Sequence, residues 1–386
     1  MRGDAASETS APSDAELDEL LRLAREHAAA AEEQAALPPA VVERLVALGL
    51  FRLWIPRRYG GLELDLPRTL QLYERAAHAD GAVGWAVMIG TGAGLFAAWL
   101  EPDAAEEIYA RRDAVIAGSG SPDGRAERVP GGYRVTGRWR YSSGADYATT
   151  FTANCIVTEG GAPVTTQDGA PLVRAMAFEP SAVTVHRTWN TSGMRATASH
   201  DIEVRDVFVP ERRTFSVLAD PPREPGVLYR LPFVVLTELP VAAVALGIAR
   251  HALDAFRTLA RTKRGYGGTV PLAEEAHVRV CFAQSRARLE LARAGIWATA
   301  ARAWEVALAG RPLTPAERGE ITAVSAHCVA ECLAAVAALV PLAGMTPLAR
   351  GDELGRAWRD LQALAAHGSV SPRGLAAAGA ALLGGD

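Results

Sequence analysis

The sequence predicts an α+β protein with three successive parts: an N-terminal helical domain, a central β domain and a C-terminal bundle of about four helices. Apolar residues recur at helical spacing over residues 15–114 and again over residues 227–386. Between them, residues 115–218 alternate apolar and polar side chains, which is typical of half-buried strands. A Pro-rich linker at residues 221–226 separates the β domain from the second helical part.

The N-terminal part begins after a short polar segment. Residues 1–14 are small and polar and contain no apolar run, so we expect a disordered tail and neither a signal peptide nor a membrane anchor. Residues 16–33 are rich in Ala, Leu and Glu and predict the first helix. The next helix is expected to begin at Pro38-Pro39 and to end at Gly49, because proline favours the first turn of a helix and glycine its end.

The β domain is predicted from turn signals and alternation. A Pro130-Gly131-Gly132 turn precedes an alternating segment at residues 131–141. Further strands are predicted at residues 149–157, 175–178, 183–186 and 201–209. The last of these strands has an irregularity near Asp206, where the alternation breaks.

The C-terminal part contains long helical segments. Residues 239–259, 272–309, 315–339 and 355–366 are each long enough to form a bundle helix. The glycine-rich run at residues 90–94 superficially resembles a dinucleotide loop, but it lies inside an apolar helical segment and no strand precedes it. We therefore predict no doubly wound, Rossmann-type domain.

Composition favours a protein that acts on small molecules. The formal net charge is −4 and no dense basic run occurs, which argues against nucleic acid as a partner. The apolar runs near residues 81–100 and 234–248 contain Gly, Thr, Glu or Pro and predict buried helices, so we expect no membrane association. The four cysteines lack the spacing of a disulfide framework, which predicts a cytoplasmic location.

A polar loop precedes the last predicted strand of the β domain. It offers hydroxyl and backbone donors beside an aromatic ring, in the order Trp189, Thr191, Ser192, Gly193, Thr197 and Ser199. Such a loop suits a flat heteroaromatic ring with hydrogen-bonding edges. Taken alone, the same residues also fit an ordinary polar turn.

Four motifs carry a resemblance to a known family. They are Leu50-Phe51-Arg52-Leu53-Trp54-Ile55-Pro56 with Tyr59-Gly60-Gly61, Gly137-Arg138-Trp139-Arg140-Tyr141-Ser142-Ser143-Gly144-Ala145, the loop and strand of residues 188–210, and Arg359-Asp360-Leu361 to His367. From about Ala15 onward the chain resembles the acyl-CoA dehydrogenase superfamily. Within it, the chain resembles the branch of two-component flavin-dependent monooxygenases typified by 4-hydroxyphenylacetate hydroxylase oxygenases. The resemblance implies an N-terminal helical domain, a central β-barrel and a C-terminal four-helix bundle.

The resemblance also implies a chemistry. In that branch a separate reductase supplies reduced FAD or FMN, and a C4a-(hydro)peroxide formed with O₂ transfers an oxygen atom to a small molecule. The implied catalytic residues are Ser143, as a hydroxyl beside the flavin, and His367, as an imidazole that manages a proton. Without the resemblance, Ser143 is equally well interpreted as a turn former, and His367 as a residue that favours a helix C-terminus.

The resemblance places flavin between the β domain and the C-terminal bundle of a homotetramer. The implied flavin-binding residues are Trp139, Ser142, Ser143, Trp189, Thr191, Ser192, Gly193, Arg195, Thr197, Ser199, Arg261 and Gly344. The segment from Arg261 to Arg264 is expected to reach the flavin of a neighbouring subunit. No metal site is predicted, because Cys328, Cys332 and the adjacent His327 make an incomplete ligand set.

Two departures from the family bear on the substrate. No Glu stands near residues 343–346, where dehydrogenases of this superfamily commonly have their base, although Glu238 lies near a second family position. Residues 84–99 contain no His, which makes a simple phenol a doubtful substrate. We predict that Trp85, Met88 and Glu238 line the substrate pocket. The predicted substrate is an amine, an enolisable carbonyl or a heteroaromatic intermediate of natural-product biosynthesis. The alternatives are an acyl-CoA dehydrogenase that uses Glu238 and a flavin-free scaffold protein.

Overall fold

The computed structural model describes residues 11–384 of the 386-residue chain. Its helices are α1 (Asp14–Gln34), α2 (Pro39–Ala47), α3 (Leu66–Ala79), α4 (Gly81–Gly94), α5 (Pro102–Tyr109), α6 (Val235–Ala260), α7 (Ala276–Leu308), α8 (Pro315–Leu339), α9 (Glu353–Ala365) and α10 (Pro372–Leu382). Its strands are β1 (Ile116–Val129), β2 (Gly132–Ser142), β3 (Thr150–Glu159), β4 (Ala162–Pro163), β5 (Val173–Phe178), β6 (Thr184–His186), β7 (His200–Pro210) and β8 (Thr214–Phe215). The predicted order of helices, strands and helices is thus confirmed.

The start of α1 is defined by a reciprocal cap. The Ser13 hydroxyl accepts the backbone N–H of Glu16, and the Glu16 carboxylate accepts the backbone N–H of Ser13. Of the predicted tail, residues 1–10 lie outside the described residues, whereas Ser13 and Asp14 belong to the beginning of α1. Helix α2 begins at Pro39 as predicted, and Gly49 follows it with a φ of 67°, a backbone conformation that favours glycine.

The strands form one mixed sheet in the order β6-β7-β2-β1-β3-β5-β8, with β4 added to β3. Strand β1 runs antiparallel to β2 and parallel to β3. The barrel implied by the resemblance is thus present as an eight-stranded sheet with β6 and β8 at its edges. The irregularity predicted near Asp206 is confirmed, because Asp206 has a φ of 51° and the register between β2 and β7 shifts beside it.

Trp139 forms the centre of the β-domain core, which corrects its assignment to the wall of the flavin site. Its side chain is fully buried, and its Nε1 donates to the Asn154 carbonyl at 2.8 Å. A Cβ on Gly124 would lie 2.1 Å from the Trp139 ring, and one on Gly137 would lie 2.6 Å from it. The indole therefore occupies the space that these two glycines leave, and it faces the interior of the sheet.

The C-terminal bundle is built around α6. Helices α7, α8 and α9 have nearly the predicted bounds, and α10 is an additional helix that packs on α8. Helix α6 begins at Val235, one turn earlier than predicted, so that Pro240 lies inside it. Pro240 cannot donate to the Leu236 carbonyl, which is why the sequence indicated a later start.

Three described segments are long and apolar enough to cross a membrane by length and composition: Gly81–Ala98, Val235–Ala260 and Pro315–Ala343. Their most apolar windows are 83%, 78% and 44% buried within the structure, respectively. The first two segments, which contain α4 and α6, therefore place most of their apolar surface against other parts of the protein.

Candidate flavin and substrate site

A cavity of about 680 Å³ lies where the N-terminal helices, the sheet and α6 meet. Its helical side is apolar and is formed by Met88, Ile89 and Phe96 from the N-terminal part and by Phe233 and Leu236 from the start of the C-terminal part. The Phe96 ring lies 4.9 Å from that of Phe215 and 6.1 Å from that of Phe233, measured between centroids. These rings form an aromatic wall, and the cavity volume is that of a typical small-molecule site.

The sheet side of the cavity carries polar as well as apolar side chains. Ser119, Thr152 and Asn154 line it from β1 and β3, which pair in parallel there. The close approach of the two strands depends on Gly118, because a Cβ on this residue would lie 2.0 Å from the Thr152 carbonyl oxygen. The segment from Thr166 to Leu172 continues this side towards solvent. Most polar side chains of the cavity therefore lie on its sheet face, here called the polar face, among apolar neighbours such as Val173 and Ala175.

His367 lines the cavity just after α9. Its Nδ1 accepts the backbone N–H of Ser369 at 3.3 Å, which leaves Nε2 as the protonated nitrogen of a neutral ring. Burial lowers the pKa of His367 below its ordinary value, so the ring is neutral at pH 7. The structure thus presents an imidazole N–H donor at the predicted catalytic position.

Ser143 does not line the large cavity. It lies in a small adjoining hollow that shares Ile89 and Ile116 with the cavity. The two predicted catalytic residues are connected through Trp85, because Trp85 Nε1 donates to Ser143 Oγ at 3.0 Å and its ring meets the edge of His367 at a centroid distance of 5.3 Å. Of the predicted pocket residues, Met88 lines the cavity, whereas Trp85 joins Ser143 to His367 behind it.

A chain of hydroxyl groups leads from Ser143 into the loop before β7. Ser143 Oγ lies 2.7 Å from Ser199 Oγ, which lies 2.6 Å from Thr197 Oγ1. Thr197 Oγ1 must donate to the Met194 carbonyl, 2.8 Å away, because a carbonyl only accepts. The single hydrogen of each hydroxyl then assigns the others: Ser199 donates to Thr197, and Ser143 donates to Ser199. Ser143 is therefore oriented as an acceptor towards Trp85.

The loop itself, here called the flavin loop (residues 189–199), has a strained backbone. Met194 and Ala198 have positive φ values of 53° and 45°, which cost about 1 kcal/mol each for residues with a Cβ. Gly193 is pressed against α9, since a Cβ there would lie 1.9 Å from the Arg359 carbonyl oxygen. Asp360 Oδ1 accepts the Met194 N–H at 2.5 Å. Contacts with α9 thus hold the loop in this conformation.

Several predicted flavin-binding side chains brace the flavin loop from within. Thr191 Oγ1 donates to the Gly193 carbonyl at 2.7 Å. Arg195 donates to the Glu32 carbonyl at 2.9 Å and to the Thr191 carbonyl at 3.0 Å, which ties the loop to α1. Ser192 is the exposed hydroxyl of the loop. The loop therefore uses most of its polar side chains to maintain its own shape.

Two aromatic rings meet beside this loop, next to the buried side chains of Ser142 and His200. Tyr141, which is 65% exposed, packs edge-on against Trp189 at a centroid distance of 6.1 Å. Tyr141 has a φ of 65°, a strained conformation for a bulky residue that often marks a functional site. Ser142 Oγ is buried and has no hydrogen-bond partner among the described residues, whereas the buried His200 Nε2 lies 4.0 Å from Asp146 Oδ1. The faces of the two aromatic rings are the part of this surface on which a planar ring such as flavin can stack.

Sequence reasoning missed Tyr141, Asp360 and the aromatic wall of the cavity. Tyr141 stood in a recognised motif, and its position directly before Ser142 and Ser143 was the available signal. Asp360 also stood in a motif, but nothing in the sequence showed that it would contact the flavin loop. The aromatic wall had no local signal, because its members come from three separate segments.

Arg261 and Gly344 lie on the surface of the single chain. Lys263 Nζ donates to Thr346 Oγ1 at 2.6 Å and so joins the two loops that carry them. Gly344 has a φ of 60°, and a Cβ there would meet no atom within 4 Å. The structure therefore places these two predicted flavin-binding residues in neighbouring exposed loops.

Glu238 points away from the cavity, which corrects its assignment to the substrate pocket. Both of its carboxylate oxygens lie within 3.0 Å of the Thr322 hydroxyl on α8. The cavity is lined by its neighbours Leu236, Thr237 and Pro240, while Glu238 is buried between helices. Because α6 begins at Val235, Glu238 lies on the opposite face of the helix, so this structure does not support a dehydrogenase that uses it as base.

Replacing Glu238 with glutamine is expected to stabilise the protein above pH 7. Burial raises the pKa of Glu238 to about 7, from the ordinary value of about 4.3. Between these values the folded protein holds a proton that the unfolded chain has lost, so the free energy of unfolding falls as pH rises from about 4 to 7. Glu238→Gln removes this loss and should raise the stability by about 1–3 kcal/mol at pH 8 but not at pH 4. Urea unfolding of the wild type and the variant at pH 4 and pH 8 measures this difference in the free energy of unfolding.

Glu74→Gln is the matched control for this experiment. Glu74 is also buried, but its Oε1 accepts from Arg250 at 2.6 Å and from Arg293 at 2.7 Å. Neutralising this paired carboxylate should destabilise the protein at pH 8. A Glu238→Gln variant that loses flavin-dependent turnover, or whose stability relative to wild type does not change with pH, would contradict the structural role given to Glu238.

Comparisons with known proteins agree with this fold. Residues 18–107 match the acyl-CoA dehydrogenase N-terminal domain, and residues 239–372 match the acyl-CoA dehydrogenase C-terminal domain. Indole-3-acetate monooxygenase from Pseudomonas putida is 34% identical over 329 residues, which are 85% of this chain and 82% of that protein. The flavin-dependent monooxygenase oxygenase subunit HsaA from Rhodococcus jostii is 27% identical, over 92% of this chain and 94% of that protein.

A solved structure is similar over nearly the whole length. XiaF from Streptomyces sp., in complex with FADH₂ and glycerol, superposes with a TM-score of 0.88 at 25% identity, over 96% of this chain and 95% of that chain. Fold and site together define a flavin-dependent oxidoreductase. The chain belongs to the acyl-CoA dehydrogenase family, in its branch of flavin-dependent monooxygenases that serve as oxygenase components of two-component systems.

Proposed function

We propose that this protein hydroxylates or N-oxygenates an aromatic or heteroaromatic intermediate of natural-product biosynthesis, with reduced FAD or FMN delivered by a separate reductase. The observation that carries the proposal is the cavity of about 680 Å³ with an aromatic wall and the His367 imidazole in its lining. The similarity to an enzyme named indole-3-acetate monooxygenase supports a substrate built on a fused aromatic ring. The four cysteines, which lack the spacing of a disulfide framework, support a cytoplasmic location.

The flavin would be held beside the flavin loop by stacking on Tyr141 and Trp189. Reduced flavin supplies the two electrons of the reaction, so that one atom of O₂ enters the substrate and the other leaves as water. The protein residues orient the two reactants and keep water away from them. The aromatic wall of Phe96, together with its two phenylalanine neighbours, excludes water from the helical side of the cavity.

His367 and Ser143 have distinct roles in this proposal. His367 presents a neutral Nε2–H, which donates a hydrogen bond to a polar group in the cavity, and burial lowers its pKa so that the ring stays neutral at pH 7. Ser143 accepts from Trp85 and donates to Ser199, so it donates to a bound ligand only if Ser199 turns its hydrogen towards Ser143. Turning the Ser199 hydrogen in this way is energetically unfavourable, because it breaks the hydrogen bond from Ser199 to Thr197.

The two roles are tested by the yield of oxygenated product per reduced flavin oxidised. We expect Ser143→Ala and His367→Ala each to lower this yield about tenfold, the loss of one hydrogen bond to a charged or polar reacting group. Oxidised flavin should still bind, because neither side chain braces the flavin loop from α9. The lost yield should reappear as hydrogen peroxide, and stopped-flow absorbance should show oxidised flavin returning sooner after mixing with O₂.

Ser325→Ala is the control for this pair. Ser325 is also buried, and its hydroxyl has no hydrogen-bond partner among the described residues, but it lies in α8 outside the cavity lining. Its replacement should leave the yield unchanged. Wild-type coupling in both Ser143→Ala and His367→Ala would remove the basis for their assigned roles.

A homotetramer is part of the proposal, and exposed apolar side chains support it. Val280, Leu291, Met345 and Leu348 are between 57% and 77% exposed on the C-terminal part of the single chain. Met345 and Leu348 follow Gly344, in the loop that Lys263 joins to the Arg261 segment. Burial of this surface by a second copy would place Arg261 and Gly344 at a subunit boundary. Light scattering coupled to size exclusion measures the number of subunits.

A further inference from the structure

The charge of the cavity lining constrains the substrate. Among the described residues that line the cavity, Asp168 and His367 are the ionisable ones, and no arginine or lysine is present. Burial lowers the pKa of His367, so that ring is neutral at pH 7. The Thr166 hydroxyl lowers the pKa of Asp168, so that carboxylate is ionised. The lining therefore carries a net negative charge.

Arginines that flank the lining along the chain are engaged elsewhere. Arg174 lies between the lining residues Val173 and Ala175 on β5, but its guanidinium contacts the Thr214 hydroxyl at 3.2 Å and the Asp220 carboxylate at 3.2 Å. Arg213 precedes the strand that carries Phe215, and it is paired with two glutamates, Glu107 and Glu179. Turning either cation towards the cavity would break these ion pairs.

Asp168 lies on the polar face, at the solvent end of the cavity. It belongs to the exposed hairpin in which Thr165 bridges to Pro171, the Thr166 hydroxyl donates to the Asp168 carboxylate, and the Thr166 backbone N–H donates to the Ala170 carbonyl at 2.8 Å. A carboxylate on a ligand would leave water for a lining with an anion and no cation, which is strongly unfavourable. An ammonium or an uncharged amide in the same place meets a carboxylate, hydroxyls and the Asn154 side chain.

We infer that the cavity selects aromatic substrates without a negative charge, either uncharged or bearing an ammonium group, with the polar substituent directed to the sheet side. The aromatic part of this inference rests on the proposed function, whereas the charge preference rests on the cavity lining. The charge preference distinguishes the substrate of this protein from that of its relative named indole-3-acetate monooxygenase, because indole-3-acetate carries a carboxylate at neutral pH.

The inference is tested by binding of three indoles to the full-length protein, with and without oxidised flavin, at pH 7.5. Indole-3-acetamide and indole-3-acetate have nearly the same shape and differ in charge, and tryptamine carries an ammonium group. Isothermal titration calorimetry is suitable, because indoles absorb where the protein's tryptophans do. We expect the amide to bind about tenfold or more tightly than the acetate, the effect of an unpaired charge.

Asp168 is examined by substitution at its exposed position, where folding is not at risk. Asp168→Asn should weaken tryptamine binding about two- to fivefold and leave the amide unchanged, as expected for a partly exposed ion pair. Asp168→Arg should raise the acetate-to-amide affinity ratio by about the same factor. Asp103→Arg, an equally exposed charge reversal on α5, is the control and should change neither.

Acetate binding equal to or tighter than amide binding in the wild type would overturn the inference, and so would an unchanged ratio in Asp168→Arg. If none of the three indoles binds, the aromatic class is wrong. These measurements need no turnover, so they are independent of the proposed oxygenation. A protein that binds the amide but produces no oxygenated product would contradict the proposed function and leave the charge preference standing.

Discussion

Gly193→Ala is expected to weaken flavin binding by about ten- to hundredfold, the effect of 1–3 kcal/mol of overpacking transmitted to the flavin loop. A Cβ at this position would lie 1.9 Å from the Arg359 carbonyl oxygen and 2.7 Å from the Asp360 nitrogen. Both are backbone atoms of α9, which cannot rotate away as a flexible side chain would. The loop or the helix must therefore shift, and Met194 loses its hydrogen bond to Asp360.

The measurement is a titration of the flavin-free protein with oxidised FAD and FMN, followed by flavin fluorescence. Gly379→Ala is the matched control, because Gly379 lies in α10 and a Cβ there would meet no atom within 4 Å. The control should bind flavin normally and gain up to about 1 kcal/mol from helix propensity. Wild-type flavin affinity in Gly193→Ala would mean that the contact between the flavin loop and α9 does not determine cofactor binding.

Asp360→Ala is expected to lose about 1–3 kcal/mol of stability and to weaken flavin binding at least tenfold, because it leaves the buried Met194 N–H without its acceptor. Asp360 Oδ1 accepts the Met194 N–H at 2.5 Å. Its other oxygen, Oδ2, packs against Gly81, because a Cβ added to Gly81 would lie 2.9 Å from it. Asp80, the residue that caps α4, also pairs with Arg356 at 3.7 Å. Asp360 therefore joins the flavin loop to the start of α4 and to the bundle.

Asp360→Asn separates positioning from charge. Burial and the neighbouring Asp80 raise the pKa of Asp360 to about 7, so an uncharged acceptor of the same shape suits the site. The amide oxygen still accepts the Met194 N–H, so flavin affinity should stay within about threefold of wild type, less than one hydrogen bond. The variant should also lack the fall in stability that the wild type shows as pH rises from about 4 to 7, since the group no longer titrates, and it should therefore be more stable than the wild type at pH 8. Equal flavin affinity in Asp360→Ala and wild type would show that another contact holds the loop.

Both variants test one physical relation, in which α9 holds a strained loop that a flavin contacts. The positive φ values of Met194 and Ala198 are unfavourable on their own, so the loop keeps its shape only while surrounding contacts impose it. The same helix leads to His367, two residues beyond its end. A displacement of α9 would therefore move the flavin loop and the proposed proton donor together.

Much of the site was predictable because its residues lie in short motifs. Ser143 follows a strand whose alternation is visible, and the flavin loop stands between a tryptophan and a strand, so local pattern located both. The hydroxyl chain from Ser143 to Thr197 was not predictable, because its order depends on distances between β2 and the flavin loop. The correction of Trp139 has the same origin, since only the packing of Gly124 shows that its ring faces inward.

The sequence by itself determined the order of helices and strands, the helix bounds at Pro39 and Pro315, the irregularity at Asp206 and the family, because periodicity, proline positions and contiguous motifs are local properties. Only the tertiary structure decided which side chains reach the cavity. Glu238 faces Thr322 because of where α6 begins, and the aromatic wall around Phe96 forms from three distant segments. The charge of the lining was likewise decided by packing, since arginines beside it in sequence pair with carboxylates elsewhere.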